Sequence, residues 1–271
     1  MSVLRKKSKA KNDRLGVWIF AVLGVVGSAV AAFLWWNTQS QVKYDDATGC
    51  PATGPSAKMV FLIDTSDQIS PLQRLDLRKQ IDKYIESAPT YAKIVIYSLV
   101  PDEETHVEKV FDSCKPRDGT AANALTENER ILKNGWREKF AEPIKIILSD
   151  ALVTKNSDES PILEALQYVS VAQMDDSDLA GDVQLIIGSD MLQNMPEYSH
   201  YRDSQDFSFY VELPYSQKTA LSLPPIDVKL LYIARTGYET VQSRKHVLFW
   251  EQYFANAGAM IDSVKILPAG G

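Results

Sequence analysis

The stretch KMVFLIDTSDQIS, residues 58–70, changes character at Asp64. Residues 59–63 are uniformly apolar, the composition of a strand buried on both faces. Asp64 ends the run, and Thr65, Ser66, Asp67 and Gln68 follow it. Ser70 and Pro71 then provide a helix N-cap and first-turn pair. Beyond them Leu77, Ile81, Tyr84, Ile85 and Ala88 fall at helical spacing, and Pro89 closes the segment. A buried strand thus hands a carboxylate and a hydroxyl to a loop that enters a helix.

The same alternation continues downstream. Residues 92–100 (AKIVIYSLV) predict a second buried strand, and 106–111 a short antiparallel edge strand reached through the turn PDEE. Residues 112–134 carry loop and turn signals, with helices expected near 124–140 and 143–151. Ser160 and Pro161 open a further helix. Residues 182–190 and 226–234 predict two more buried strands. A helix is expected over 239–256, with Val247, Trp250 and Phe254 on its apolar stripe and Gly258 as its cap. A short strand over 260–266 ends the series. The pattern predicts an α/β fold, a mostly parallel central sheet with helices on both faces. Ligands of such sheets sit outside the carboxyl ends of the strands, at the topological switch point. Asp64 and Asp190 each terminate an apolar run at such an end. With Ser66 and Ser160 they form an all-oxygen donor set of the kind that suits Mg2+.

The first 36 residues read differently. Arg5, Lys6, Lys7, Lys9, Lys11 and Arg14 precede residue 15, opposed only by Asp13. Residues 15–36 (LGVWIFAVLGVVGSAVAAFLWW) contain no charged side chain. At 1.5 Å per residue they reach about 33 Å, the thickness of a hydrocarbon core. A cleaved signal peptide is the alternative, but Trp35 and Trp36 stand where a cleavage site needs small residues. The reading is a basic cytoplasmic tail (1–14), a transmembrane helix (15–36), a linker or stalk (37–57) and an extracytoplasmic domain (58–271), oriented by the positive-inside rule. No Asn-x-Ser/Thr sequon occurs, which fits a bacterial inner-membrane protein facing the periplasm. Six of the 29 Lys and Arg lie in the tail, so the remainder is more acidic than the overall charge of −6. Such a surface repels nucleic acid. Cys50 and Cys114 are the two cysteines; in an oxidising compartment they have one possible pairing, and two unrelated free thiols are the alternative.

On Asp64-x-Ser66, Ser160 and Asp190, the chain from 58 onward resembles the von Willebrand factor A domain family. The resemblance implies a metal-ion-dependent adhesion site. Asp64 would hold the metal through water, Ser66 would bind it directly, Ser160 would replace the family's Thr, and Asp190 would close the site. An open coordination position would receive an acidic side chain of a partner protein. Gln68 stands where the family's second Ser is expected, and Met191 follows Asp190 where Gly is usual. The alternative is a site without metal that binds its partner directly, its carboxylates engaged in loop hydrogen bonds. The short third strand, if antiparallel, brings Cys114 to the pole where Cys50 enters.

The expected mechanism is association rather than turnover. A metal-dependent phosphoesterase using the same carboxylates is a second class, but it needs a nucleophile or base beside Asp64. A third is a structural subunit held through the membrane helix, where Gly24 and Ser28 have a helix-packing spacing. His106, His200 and His246 lack ligand-spaced partners and read as surface or packing residues. The acidic run at 175–178 reads as a solvated loop. Tyr198, Tyr201, Phe207, Phe209 and Tyr210 follow Asp190, and either border the binding face or pack on the domain.

Overall fold

A computed structural model describes residues 3–39, 43–64, 66–101, 105–123, 127–153, 157–174 and 182–269. The chain divides into two compact units, Met1–Lys43 and Tyr44–Gly271. The first is one helix, α1 (Val3–Gln39). Its Val17–Trp36 portion, 20 residues long and wholly exposed, is long and apolar enough to cross a membrane. A signal sequence meets the same test. Within this helix Ser28 Oγ donates back to the Gly24 carbonyl at 2.8 Å, as serines in apolar helices do.

The second unit contains β1 (Lys58–Ile63), α2 (Pro71–Ser87), β2 (Lys93–Leu99), β3 (Val107–Cys114), α3 (Glu129–Trp136), α4 (Glu142–Ala151) and α5 (Ile162–Gln173). Then come β4 (Val183–Ser189), α6 (Phe207–Glu212), α7 (Pro214–Lys218), β5 (Asp227–Ile233), α8 (Arg244–Asn256) and β6 (Met260–Leu267). Six strands form one sheet in the order β3-β2-β1-β4-β5-β6. Every neighbouring pair is parallel except β2 with β3. The chain therefore moves outward from β1 in one direction and from β4 in the other, which makes the β1/β4 crevice the switch point.

Both faces of the sheet are covered. Val60 and Leu62 point into a core with α5 and α8, where Phe249, Trp250 and Phe254 are buried. Met59, Phe61 and Ile63 point into a core with α2 and α4, against Leu77, Ile81 and Phe140. This is the two-sided burial that an uninterrupted apolar strand requires. Gly188 of β4 has a packing role, since a Cβ there would lie 2.8 Å from Leu77 Cδ1. Helix α2 starts as its sequence demands: Ser70 Oγ accepts from the Gln73 N–H and Gln73 Oε1 from the Ser70 N–H, a capping box. At the far margin β6 is mostly exposed, with Met260 at 73% and Ile266 at 62%.

Three local expectations are corrected. The helix expected from 239 begins at Arg244. Gly237 takes a positive φ of 83°, and Val241 and Gln242 donate back to the Tyr238 carbonyl, so 238–242 is a turn. The face α8 buries is His246, Phe249, Trp250, Tyr253 and Phe254, with Val247 only half-buried. The helices expected near 124–140 and 143–151 run together from Glu129 through a π-helical segment, Arg137–Ala141. Residues 124–126 lie outside the described ones. Pro143 has no N–H to give the ladder, and in the wider register the Glu142 N–H reaches the Arg137 carbonyl just before it. The third strand extends to Cys114 rather than ending at 111.

Cys50 and Cys114 form a disulfide. Cys114 pairs in register with Lys93, the first residue of β2, so the bridge lies at the pole where β1 and β2 begin. Residues 44–57 belong to this second unit. Thr48 O accepts from the Cys114 N–H and from Ser113 Oγ, each at 2.8 Å, and the Tyr44 and Tyr91 hydroxyls share a 2.8 Å bond.

Candidate functional site

Asp64 leaves the end of β1 with its N–H still bonded to the Gly188 carbonyl of β4 at 2.9 Å. Its carboxylate is buried at the mouth of the crevice. Oδ1 accepts from the Ser66 N–H at 2.9 Å and from Ser66 Oγ at 2.6 Å, an Asx-type turn that closes the loop on itself. Oδ2 accepts from Ser189 Oγ at 2.8 Å, and Ser160 Oγ lies 3.5 Å from it. The Ser66 and Ser160 hydroxyl oxygens are 3.1 Å apart although 94 residues separate them. Ser160 is not the cap of the helix it precedes. Pro161 holds the cap position of α5, without a side-chain bond, which leaves the Ser160 hydroxyl for the crevice.

Asp190 ends β4 and is also buried. Its Oδ1 accepts from the Leu192 N–H at 2.9 Å, and its Oδ2 from Arg235 Nη1 at 3.2 Å. Asp64, Asp67, Gln68, Ile69, Asp190, Ile233 and Arg235 line one small pocket with room for about one water (≈ 10 Å3). The structure thus brings all four expected residues to one rim. Asp64, Ser66 and Ser160 make one hydrogen-bonded group, while Asp190 faces an arginine beside it.

Arg235 follows β5, one strand beyond β4. Its Nη1 also reaches Asp67 Oδ2 at 2.7 Å and Tyr201 Oη at 2.7 Å, and its Cζ sits 4.2 Å above the Tyr238 ring. Gln242 joins the two strand ends: Nε2 donates to the Asp190 and Ile233 carbonyls, and Oε1 accepts from the Arg235 N–H. Burial, then the neighbouring Asp64 and Asp67 charges, push the Asp190 carboxyl well above the usual range. Burial raises Asp67 as well. Burial works against the Arg235 cation, but Asp190 and Asp67 more than offset it and its pKa rises.

A second layer fixes the backbone at Asp190. Met191 has a left-handed φ of 61°, and its carbonyl accepts from Trp250 Nε1 at 2.9 Å and His246 Nε2 at 2.9 Å. His246 Nδ1 meets Tyr232 Oη at 2.7 Å, and His246 Nε2 lies 3.1 Å from His200 Nδ1. Both rings are buried, so they are packing residues, but they contact each other rather than standing alone. Burial brings His246 down to about 4, and lowers His200 through burial and the adjacent imidazole. His106 is elsewhere, with Nδ1 3.1 Å from the Pro101 carbonyl. The aromatic segment divides: Tyr198 and Tyr210 pack beside Phe249, whereas Tyr201 reaches the rim. The acidic run 175–178 lies outside the described residues.

The oxygen donors are of the right chemical type for Mg2+. Their arrangement does not fit the ion. Both Asp64 oxygens already accept from hydroxyls, and a guanidinium rather than open space lies between Asp67 and Asp190. Among the described residues no group of three or more His, Cys, Asp or Glu is placed to hold a metal. The sequence reading missed Asp67, Ser189, Tyr201, Arg235 and Gln242. Arg235 had a signal, since the rule that singled out Asp64 and Asp190 applies equally to the residue leaving the next strand.

Comparison of the chain with models of known protein families and with curated proteins gives no match to either.

Proposed function

We propose that this protein is a membrane-anchored, extracytoplasmic interaction domain of the von Willebrand factor A type that binds a protein partner at the β1/β4 rim without turning over a substrate. One observation carries the reading: Asp64, Ser66 and Ser160, from three separate segments, meet in one buried hydrogen-bonded group at the switch point. A helix long and apolar enough to span a membrane and a disulfide support the placement outside the cytoplasm. Association is favoured over phosphoester chemistry by the state of the candidate nucleophile. Ser66 is 1% exposed, which keeps its hydroxyl from a substrate, and His200 and His246 face the core instead of the rim.

The test is photo-crosslinking of the full chain in its native membrane, with the probe at Gln68 or Thr236 on the rim or at Glu86, an exposed residue near the end of α2. Adducts to one protein from 68 and 236, and none from 86, are expected. Adducts confined to 86, or to a further probe placed within 17–36, would refute the rim, the latter favouring a subunit held by its helix.

A further inference from the structure

We propose that Arg235 is a permanent, protein-borne counter-ion at this rim, standing where its charge calls for a metal, so that the site works without a divalent cation. The proposal rests on the rim being the binding face, but its chemistry is tested independently of any partner.

Three carboxylates converge here. Asp64, Asp67 and Asp190 line the same pocket, and one nitrogen of Arg235 reaches an oxygen of Asp67 at 2.7 Å and an oxygen of Asp190 at 3.2 Å. Asp64 and Asp190 are buried and Asp67 is half-buried, and carboxylates gathered in this way require either protons or a cation. The cation present is covalently attached. Arg235 is 16% exposed in its side chain, and it is held by Asp67, Asp190, the Tyr201 hydroxyl and the Tyr238 ring. A guanidinium is planar, always charged and weakly hydrated, which suits it to this enclosed position better than an ammonium. Its backbone is fixed as well, by Gln242. The arginine occupies the space between the carboxylates and supplies the positive charge, so a metal gains nothing by entering. A partner's acidic side chain likewise finds no vacant coordination position. It finds a guanidinium whose carboxylate partners are already in place, with Gln68, Thr236 and Tyr238 forming the adjoining cleft.

The converse follows. Once the guanidinium is removed, the same oxygens surround a vacancy and become a divalent-cation site. The experiment uses the full chain in detergent, followed by thermal unfolding in EDTA or Mg2+ and by the free-ion signal of Mn2+ in electron paramagnetic resonance. The wild type is expected to leave the Mn2+ signal unchanged and to melt at the same temperature in EDTA and in Mg2+. Arg235→Ser is expected to melt lower in EDTA and to bind one Mn2+ per chain. Mg2+ at about one hundred times its dissociation constant should raise the Arg235→Ser midpoint by roughly 5–10 °C. Asp67→Asn/Asp190→Asn/Arg235→Gln, which removes the charges together, should melt closer to wild type and ignore Mg2+. This triple variant keeps the test decisive if Arg235→Ser does not fold.

Mn2+ bound by the wild type and lost in Asp64→Ala would overturn the proposal. So would a folded Arg235→Ser that ignores both ions, or a triple variant as unstable as Arg235→Ser, since either result would make the arginine a packing residue. None of these outcomes bears on the crosslinking result, so the two readings fail separately.

Discussion

Replacing Cys50 and Cys114 together by serine tests how the second unit is held together. The bridge joins residues 64 apart and encloses β1, α2, β2 and β3, half the strands of the sheet. In the chain-entropy account, opening a loop of this size costs about 4 kcal/mol through the greater freedom of the unfolded chain. For a domain of this size each kcal/mol corresponds to roughly 2–4 °C, so the midpoint should fall by about 8–16 °C. Thermal and urea unfolding of the double variant measure this directly, and reductant should lower the wild type by the same amount while leaving the variant unchanged. The local contacts of residues 44–50 are few: two bonds to the Thr48 carbonyl and the Tyr44–Tyr91 hydroxyl pair account for most of their attachment to β3 and the loop before β2. Proteolysis near 44–50 should therefore increase more than the global loss alone explains. A loss under about 1 kcal/mol would refute the reasoning, because the unfolded chain would then gain little freedom from opening the loop.

Gly188→Ala should destabilise by about 1–3 kcal/mol, because the new methyl group meets Leu77; Leu77→Ala in the same chain should recover part of that loss in a double-mutant cycle. Ser66→Ala removes the hydroxyl donor from Asp64 Oδ1 and should cost roughly 1–3 kcal/mol, read from urea midpoints at constant m-value. The pH response has two opposing parts. His246 titrates near 4 in the folded protein against 6.5 for a solvated imidazole, so its contribution is complete above 6.5 and is lost as pH falls toward 4, by up to about 3 kcal/mol. Asp190 is raised, so its effect has the other sign: stability falls as pH rises from 3.8 toward the folded value. Between pH 4 and 6.5 the slope of stability against pH should accordingly become less positive in His246→Asn and more positive in Asp190→Asn; unchanged slopes would contradict both assignments.

What the sequence disclosed depended on how local its cause was. The apolar run before Asp64, the Ser70–Pro71 helix start and the buried run before Asp190 are each specified by a few adjacent residues, and all reappear in the fold. The convergence of Asp64, Ser66 and Ser160 followed from a parallel sheet. The role of Arg235 did not. An arginine after an apolar strand reads as an exit to solvent until strand order places β5 beside β4 and Tyr201 and Tyr238 around its side chain. The His200–His246 contact spans 46 residues and has no periodic signal. Pro143 reads as a helix start because a proline is ordinarily excluded from an α-helical interior, and the wider π register that admits it leaves no mark in composition.

The two margins of the sheet have unequal consequences. β3 presents Glu108, Lys109 and Asp112, and Thr48 already lies across its last residue. β6, which has no outer neighbour among the described residues, carries Met260, Val264 and Ile266 exposed, with the charged Asp262 and Lys265 between them. Charged side chains discourage edge-to-edge addition, and apolar ones invite it. A domain with one receptive margin has no second through which to propagate. Backbone pairing between copies through β6 would therefore close at two chains rather than grow into a fibre.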